Sequence, residues 1–222
     1  MPETSIREFN DSSVDPKVRG FLHAPENPNG DGFVLTHGAG SNAASPLLVA
    51  LAETLSSGGF TVLRCDLPYR QSRSFGPPGP GDAARDRAGL KNALAALRKM
   101  SSGRLFLGGH SYGGRQSSML CAEEPDLVAG LLPLSYPLHP PRKPEQQRTQ
   151  HLPALRTPTL FVQGTRDPFG SIEEIQRAIK MIPAKTKLLT VEGAGHDLGF
   201  KGKGKKEELP KQVLTEFTAL FS

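Results

Sequence analysis

A chain of 222 residues with 36% hydrophobic content can bury one sizeable core, and the expectation is a single domain over residues 1–222. No window approaches 18 consecutive apolar residues, and the start Met1-Pro2-Glu3-Thr4-Ser5 is neither basic nor apolar. A membrane-spanning helix and a signal peptide are therefore not expected, and a cytoplasmic location is. The net charge of +5 is modest and the 6% of aromatic residues do not interleave with the basic ones, which speaks against nucleic acid and membrane partners.

Taken in order, residues 1–17 read as a polar lead-in with room for one edge strand, and Val18–Ala24 alternates as a strand does. A Pro/Gly/Asn turn cluster over 25–32 precedes the short buried strand 33–36. Ser45 and Pro46 sit where an N-cap and first helical residue belong, Leu47, Leu48, Leu51 and Leu55 make the apolar face, and Gly58-Gly59 ends the helix. Thr61–Cys65 is the next strand. Residues 66–81 are expected as a long Gly/Pro/Arg-rich rim loop, with Arg70 and Arg73 as solvated rim arginines. Asp82 is expected to cap a helix reaching about Met100, followed by the strand at Leu105 and a helix from Tyr112 to about Glu123.

Further strands are expected over 127–134, 159–162 and 186–191, with a helix after Ser171 (Ile172, Ile175, Ile179, Ile182) and a closing helix over 207–221 that turns Leu209, Val213, Phe217 and Leu220 inward. The Pro-rich, basic segment 135–157 is expected as a rim or partial lid, too short for a full cap domain. The basic run Lys201–Lys206 is expected as a solvated loop. Cys65 and Cys121 lie in apolar stretches and are expected as buried reduced thiols, with no metal-ligand spacing. Strands alternating with helices imply an α/β fold with a mainly parallel sheet and helices on both faces.

Three stretches carry chemistry. Gly109-His110-Ser111-Tyr112-Gly113 fits G-x-S-x-G after an apolar strand and before a helix. A serine on so sharp a turn is strained, and its neighbours two positions away must lack side chains for strand and helix to pass. His37-Gly38-Ala39-Gly40 follows a strand and can aim a backbone N–H into a site. The Ala39 and Tyr112 amides are the expected oxyanion donors, and His37 is expected to brace the loop. Asp167 and His196 each follow a later strand, so Ser111, Asp167 and His196 gather at the carboxyl edge of the sheet. His196 would take the Ser111 proton and Asp167 would orient the imidazole. Asp66 is the rival acid but precedes the serine in the chain, and Asp197 is expected to serve its own loop. The chain order Ser, Asp, His is that of the α/β-hydrolase triad.

On these motifs the chain resembles small serine α/β-hydrolases of the dienelactone-hydrolase-like group. From Leu134 through Thr165-Arg166-Asp167-Pro168-Phe169-Gly170 it is similar to the testis-expressed-protein-30 and NSL complex subunit 3 family. The resemblance implies a serine hydrolase of small-molecule acyl substrates that needs neither cofactor nor metal. Ser111 stands where dienelactone hydrolase carries cysteine, which favours a general esterase over a lactonase. Because some relatives act as subunits of complexes, a binding or scaffold protein on the same fold is the second reading.

Overall fold

The computed structural model describes residues 4–201 and 208–221. These residues form an eight-stranded sheet: β1 (Ser5–Asp11), β2 (Val18–Ala24), β3 (Gly32–Thr36), β4 (Thr61–Cys65), β5 (Leu105–His110), β6 (Gly130–Leu134), β7 (Thr159–Gly164) and β8 (Thr186–Val191). The spatial order is β1-β2-β4-β3-β5-β6-β7-β8. β1 and β2 run antiparallel to their neighbours, whereas pairing from β4 to β8 is parallel. β3, β4 and β6 are buried at every position, as continuous apolar strands covered on both faces should be.

Helices supply the cover. Leu47, Leu48, Leu51 and Leu55 of α1 (Pro46–Ser57) and Val213 and Phe217 of α6 (Glu208–Leu220) pack on one face around Phe33 and Phe106. On the other face lie α3 (Asp82–Arg98), α4 (Tyr112–Glu123) and α5 (Ile172–Ile179), through residues such as Leu90, Leu120 and Ile175. The connection after β3 leads to β4 on one side, and the connection after β5 leads to β6 on the other. Adjacent strands whose connections diverge leave a crevice at their carboxyl ends. The His37-Gly38-Ala39 stretch and Ser111 emerge there.

Several expectations are corrected. Residues 66–81 are not one loop, because Pro68 starts a short helix, α2 (Pro68–Ser72), that buries Tyr69 and Arg70. Asp82 is the first residue of α3 rather than its cap; Gly81 holds the cap position at φ 89°, a left-handed conformation suited to glycine. The Asp82 carboxylate instead accepts the Gly79 N–H at 2.6 Å and pairs with Arg73. α3 ends at Arg98, β6 begins only at Gly130, and β7 runs on to Gly164. Ser45 does occupy the N-cap of α1, without a side-chain capping bond, while Ser171 and Glu174 form a reciprocal capping box at α5.

Segment 135–157 contains only a single 3-10 turn (Leu152–Ala154), yet it is well anchored. Tyr136, Leu138, Leu152 and Leu155 are buried, the Tyr136 hydroxyl donates to the Arg148 carbonyl at 2.8 Å, and the Arg148 N–H donates to the Leu138 carbonyl at 2.7 Å. Cys65 and Cys121 are buried free thiols, each pushed by burial up to about 12. Of the basic run expected as a solvated loop, Lys201 is exposed, and the residues after it lie outside the described ones. No helix among the described residues is long and apolar enough to cross a membrane.

Candidate active site

Ser111 stands between β5 and α4 at φ 51° and ψ −115°, a conformation that costs an L-residue about 1–3 kcal/mol. Its surroundings enforce it. The Ser111 N–H donates to the Leu134 carbonyl at 2.7 Å, and its carbonyl accepts the Arg115 N–H at 3.0 Å. A Cβ on Gly109 would come within 2.7 Å of the Gly113 carbonyl carbon, and one on Gly113 within 2.5 Å of the His37 carbonyl oxygen. Only glycine lets strand, turn and helix approach this closely.

The three expected side chains converge. Ser111 Oγ lies 2.8 Å from His196 Nε2, and His196 Nδ1 lies 3.0 and 2.9 Å from the two oxygens of Asp167. A carboxylate only accepts, so Nδ1 carries the proton and Nε2 presents its lone pair to the serine hydroxyl. The Asp167 side chain is fully buried and also accepts from Gln163 Nε2 (3.0 Å) and the Phe169 N–H (2.9 Å). Gln163 in turn accepts the Tyr136 N–H at 2.9 Å. His196 is fixed twice more: the Phe169 ring lies 4.2 Å away, centroid to centroid, and His110 Nε2 donates to the His196 carbonyl at 2.7 Å. The sequence does not single out these supports. Their only signal there is proximity, Gln163 at the end of the strand that delivers Asp167, Phe169 just beyond it, and His110 beside Ser111.

Ala39 and Tyr112 line the same cavity as Ser111 and His196. His37 Nδ1 donates to the Gly38 carbonyl at 2.9 Å, and the Tyr69 hydroxyl lies 3.2 Å from that carbonyl and 2.9 Å from the Ala39 carbonyl, its nearer acceptor. In a planar trans peptide the C=O and N–H point in opposite directions, so pulling the Gly38 carbonyl inward turns the Ala39 N–H outward. Among the described residues neither the Ala39 nor the Tyr112 N–H has a backbone acceptor. The Tyr112 hydroxyl donates to buried Asp86 at 2.8 Å, and Asp86 also accepts the Tyr69 N–H at 3.1 Å, which ties the two loops together. Burial raises the Asp86 carboxyl above its ordinary range.

His37 is fully buried and is a brace, as expected: its Nε2 accepts the Leu67 N–H at 3.1 Å, and burial lowers its pKa. Asp66 accepts from Arg19 (2.9 Å) and the Ala43 N–H (2.8 Å) and is not joined to His196. Asp197 serves its own loop, accepting the Gly199 and Lys201 N–H groups. Arg70 is a correction. It is not a solvated rim residue but 5% exposed, with its guanidinium donating to the carbonyls of Ala39, Ser41, Arg73 and Gly76. Buried loop carbonyls need donors, and one arginine can serve several. Arg73 does stand at the rim, paired with Asp82.

The site opens into a cavity of about 670 Å³ whose walls include Ala39, Ser111, Pro77, Pro137, Phe169 and Phe200. Among the described residues no group of three or more His, Cys, Asp or Glu side chains converges as a metal would require. Three histidines, His23, His110 and His151, are each held down to about 4, chiefly by burial. Between pH 6.5 and 4 the unfolded chain takes up protons that these side chains refuse in the folded state. Stability should therefore be level above pH 7 and fall as pH drops through that window, with a slope of up to about 1.4 kcal/mol per pH unit for each of these histidines. Urea midpoints measured from pH 8 to pH 4.5 check this, and the His23→Gln variant should show a shallower fall.

Residues 30–221 match the family described as alpha/beta hydrolase domain. Among solved structures, a dienelactone hydrolase from Anabaena variabilis superposes with a TM-score of 0.74 at 22% identity, covering 98% of each chain. A serine hydrolase homologue from Coxiella burnetii gives 0.75 at 18% identity, covering 95% of this chain and 96% of the other. Est1E from Butyrivibrio proteoclasticus gives 0.72 at 17%, covering 97% and 98%. At such identities the superpositions speak for the fold. With a match over most of its length and this sheet order, the chain belongs to the alpha/beta hydrolase domain family.

Proposed function

We propose that the chain is a serine hydrolase that cleaves a carboxylic ester or related acyl bond through an acyl-enzyme. The observation that carries this reading is the unbroken hydrogen-bonded line from Ser111 Oγ through His196 to buried Asp167, at a cavity lined by Ala39 and Tyr112. Ser111 Oγ attacks the substrate carbonyl carbon while its proton passes to His196 Nε2. The carbonyl oxygen gains the negative charge and is received by the two amides, near the positive end of α4. As the tetrahedral intermediate collapses, the ester C–O bond breaks and His196 returns the proton to the leaving alcohol. Water repeats the sequence on the acyl-enzyme, giving the acid and free Ser111. Asp167 keeps the imidazole oriented and offsets its transient positive charge.

Among the described residues no large cap encloses the cavity, which suits short to medium acyl groups. The test is reaction with a fluorophosphonate probe, read by intact mass and peptide mapping. One adduct at Ser111 is expected, lost when His196 is replaced by alanine. A folded wild-type protein that takes up no probe would overturn the proposal and leave a binding role on this fold.

A further inference from the structure

Arg70 and Arg73 are committed to loop carbonyls and to Asp82, yet the cavity beside Ser111 retains a strong positive character from residues not used so far. Arg115 and Arg148 both line it. Arg115 is one turn into α4, four residues after Ser111, on the same face of the helix. It shares the cavity wall with Ser111 and His196. Its Nε is buried without a hydrogen-bond partner, and its guanidinium lies beside the Tyr136 hydroxyl. Arg148 comes from the anchored 135–157 segment and reaches the Pro137 carbonyl at 3.1 Å with one nitrogen.

Among the described residues no carboxylate pairs with either arginine. Burial lowers the pKa of Arg148, and repulsion from Arg115 adds to it. Asp197, the one carboxylate on the cavity wall among the described residues, is taken up by backbone N–H groups. Two partly buried like charges held together without a counter-ion are unfavourable, and a bound anion relieves the repulsion.

We propose that Arg115 and Arg148 form an anion-binding subsite, so that the substrate cleaved at Ser111 carries a carboxylate or phosphonate-like group a few bonds from its ester carbonyl. This rests on the hydrolase reading above and narrows it from esters in general to anionic short-chain esters. Arg115 and Ser111 line one cavity of about 670 Å³, which calls for a short spacing between the scissile carbonyl and the anion.

The test compares three ethyl esters of equal reach: monoethyl succinate (carboxylate), ethyl 3-phosphonopropanoate (phosphonate) and ethyl levulinate, the neutral counterpart of the first. In wild type, kcat/KM for at least one anionic ester should exceed that for ethyl levulinate by about 10- to 100-fold, and the gap should shrink with added salt. The better anionic ester identifies the favoured group. Arg115→Gln and Arg148→Gln should each remove most of that preference while changing ethyl levulinate turnover less than about threefold, and Arg115→Lys should restore part of it. Equal kcat/KM for charged and neutral esters in wild type would overturn the proposal and leave the hydrolase reading intact.

Recognition is also measured apart from catalysis, by calorimetry of the same three esters on the Ser111→Ala variant. Tighter binding of an anionic ester, lost in Ser111→Ala/Arg148→Gln, supports the subsite even if no ester is turned over, a result that would count against the hydrolase reading instead. Absence of any anion preference in binding overturns the subsite.

Discussion

Ser111→Ala is expected to lower kcat for a hydrolysed ester by about a million-fold, to the level left by substrate binding and the amide donors alone. His196→Ala should fall to nearly the same level, and the double variant little further, because Ser111 and His196 act through one proton transfer and their losses do not add. Steady-state rates on purified variants of matched circular dichroism check this. A single variant that keeps more than about a hundredth of wild-type kcat would rule out Ser111 as the nucleophile. Stability should move the other way for one replacement. Ser111 is held at φ 51°, so Ser111→Gly, which adopts that conformation without strain, should melt no lower than wild type although it is equally inactive.

The second large loss is expected from Asp167→Asn, about 10,000-fold in kcat. Three donors converge on this buried carboxylate, from His196 Nδ1, Gln163 Nε2 and the Phe169 N–H. An amide has the shape of a carboxylate but only one acceptor oxygen, so whichever way the substituted side chain turns, its NH2 faces one of those donors. Turned toward His196, it stabilises the tautomer that cannot accept the serine proton. Turned away, it still supplies no negative charge to the imidazolium. The KM should change little, since Asp167 is not on the cavity wall. A loss confined to KM would assign Asp167 a different role.

The site and the scaffold differ in how far residue order alone reveals them. The glycines around Ser111 and the loops after β3, β7 and β8 are local signals, because each says what one turn must do, and Ser111, Asp167, His196, Ala39 and Tyr112 do gather at one sheet edge. Arg70 is hard to place for the opposite reason. Its burial is decided by loop carbonyls some thirty residues earlier in the chain, at Ala39 and Ser41, and no local pattern announces them. Asp86 and Gln163 are hidden likewise, since a polar residue inside a helix or strand reads as solvated until its partners are in place. The short helix at Pro68–Ser72 leaves no trace because five residues are too few to show a helical period.

The guanidinium of Arg70 also governs how the cavity can change shape. Through the carbonyls of Ala39, Ser41, Arg73 and Gly76 it couples the turn after β3 to the approach to Pro77 and Pro78, so these two stretches of wall share one anchor and cannot be displaced separately without stripping it of bonds. Pro137 and Arg148 opposite belong to a segment held by its own buried residues and are not tied to that anchor. The cavity thus has two walls with separate anchors, the guanidinium of Arg70 behind the Ala39 stretch and the buried side chains of 135–157 behind Pro137 and Arg148. A replacement that loosens one anchor therefore leaves the bonds of the other in place, and changes at Pro137 or Arg148 do not touch the carbonyls of Ala39 and Ser41 that Arg70 holds.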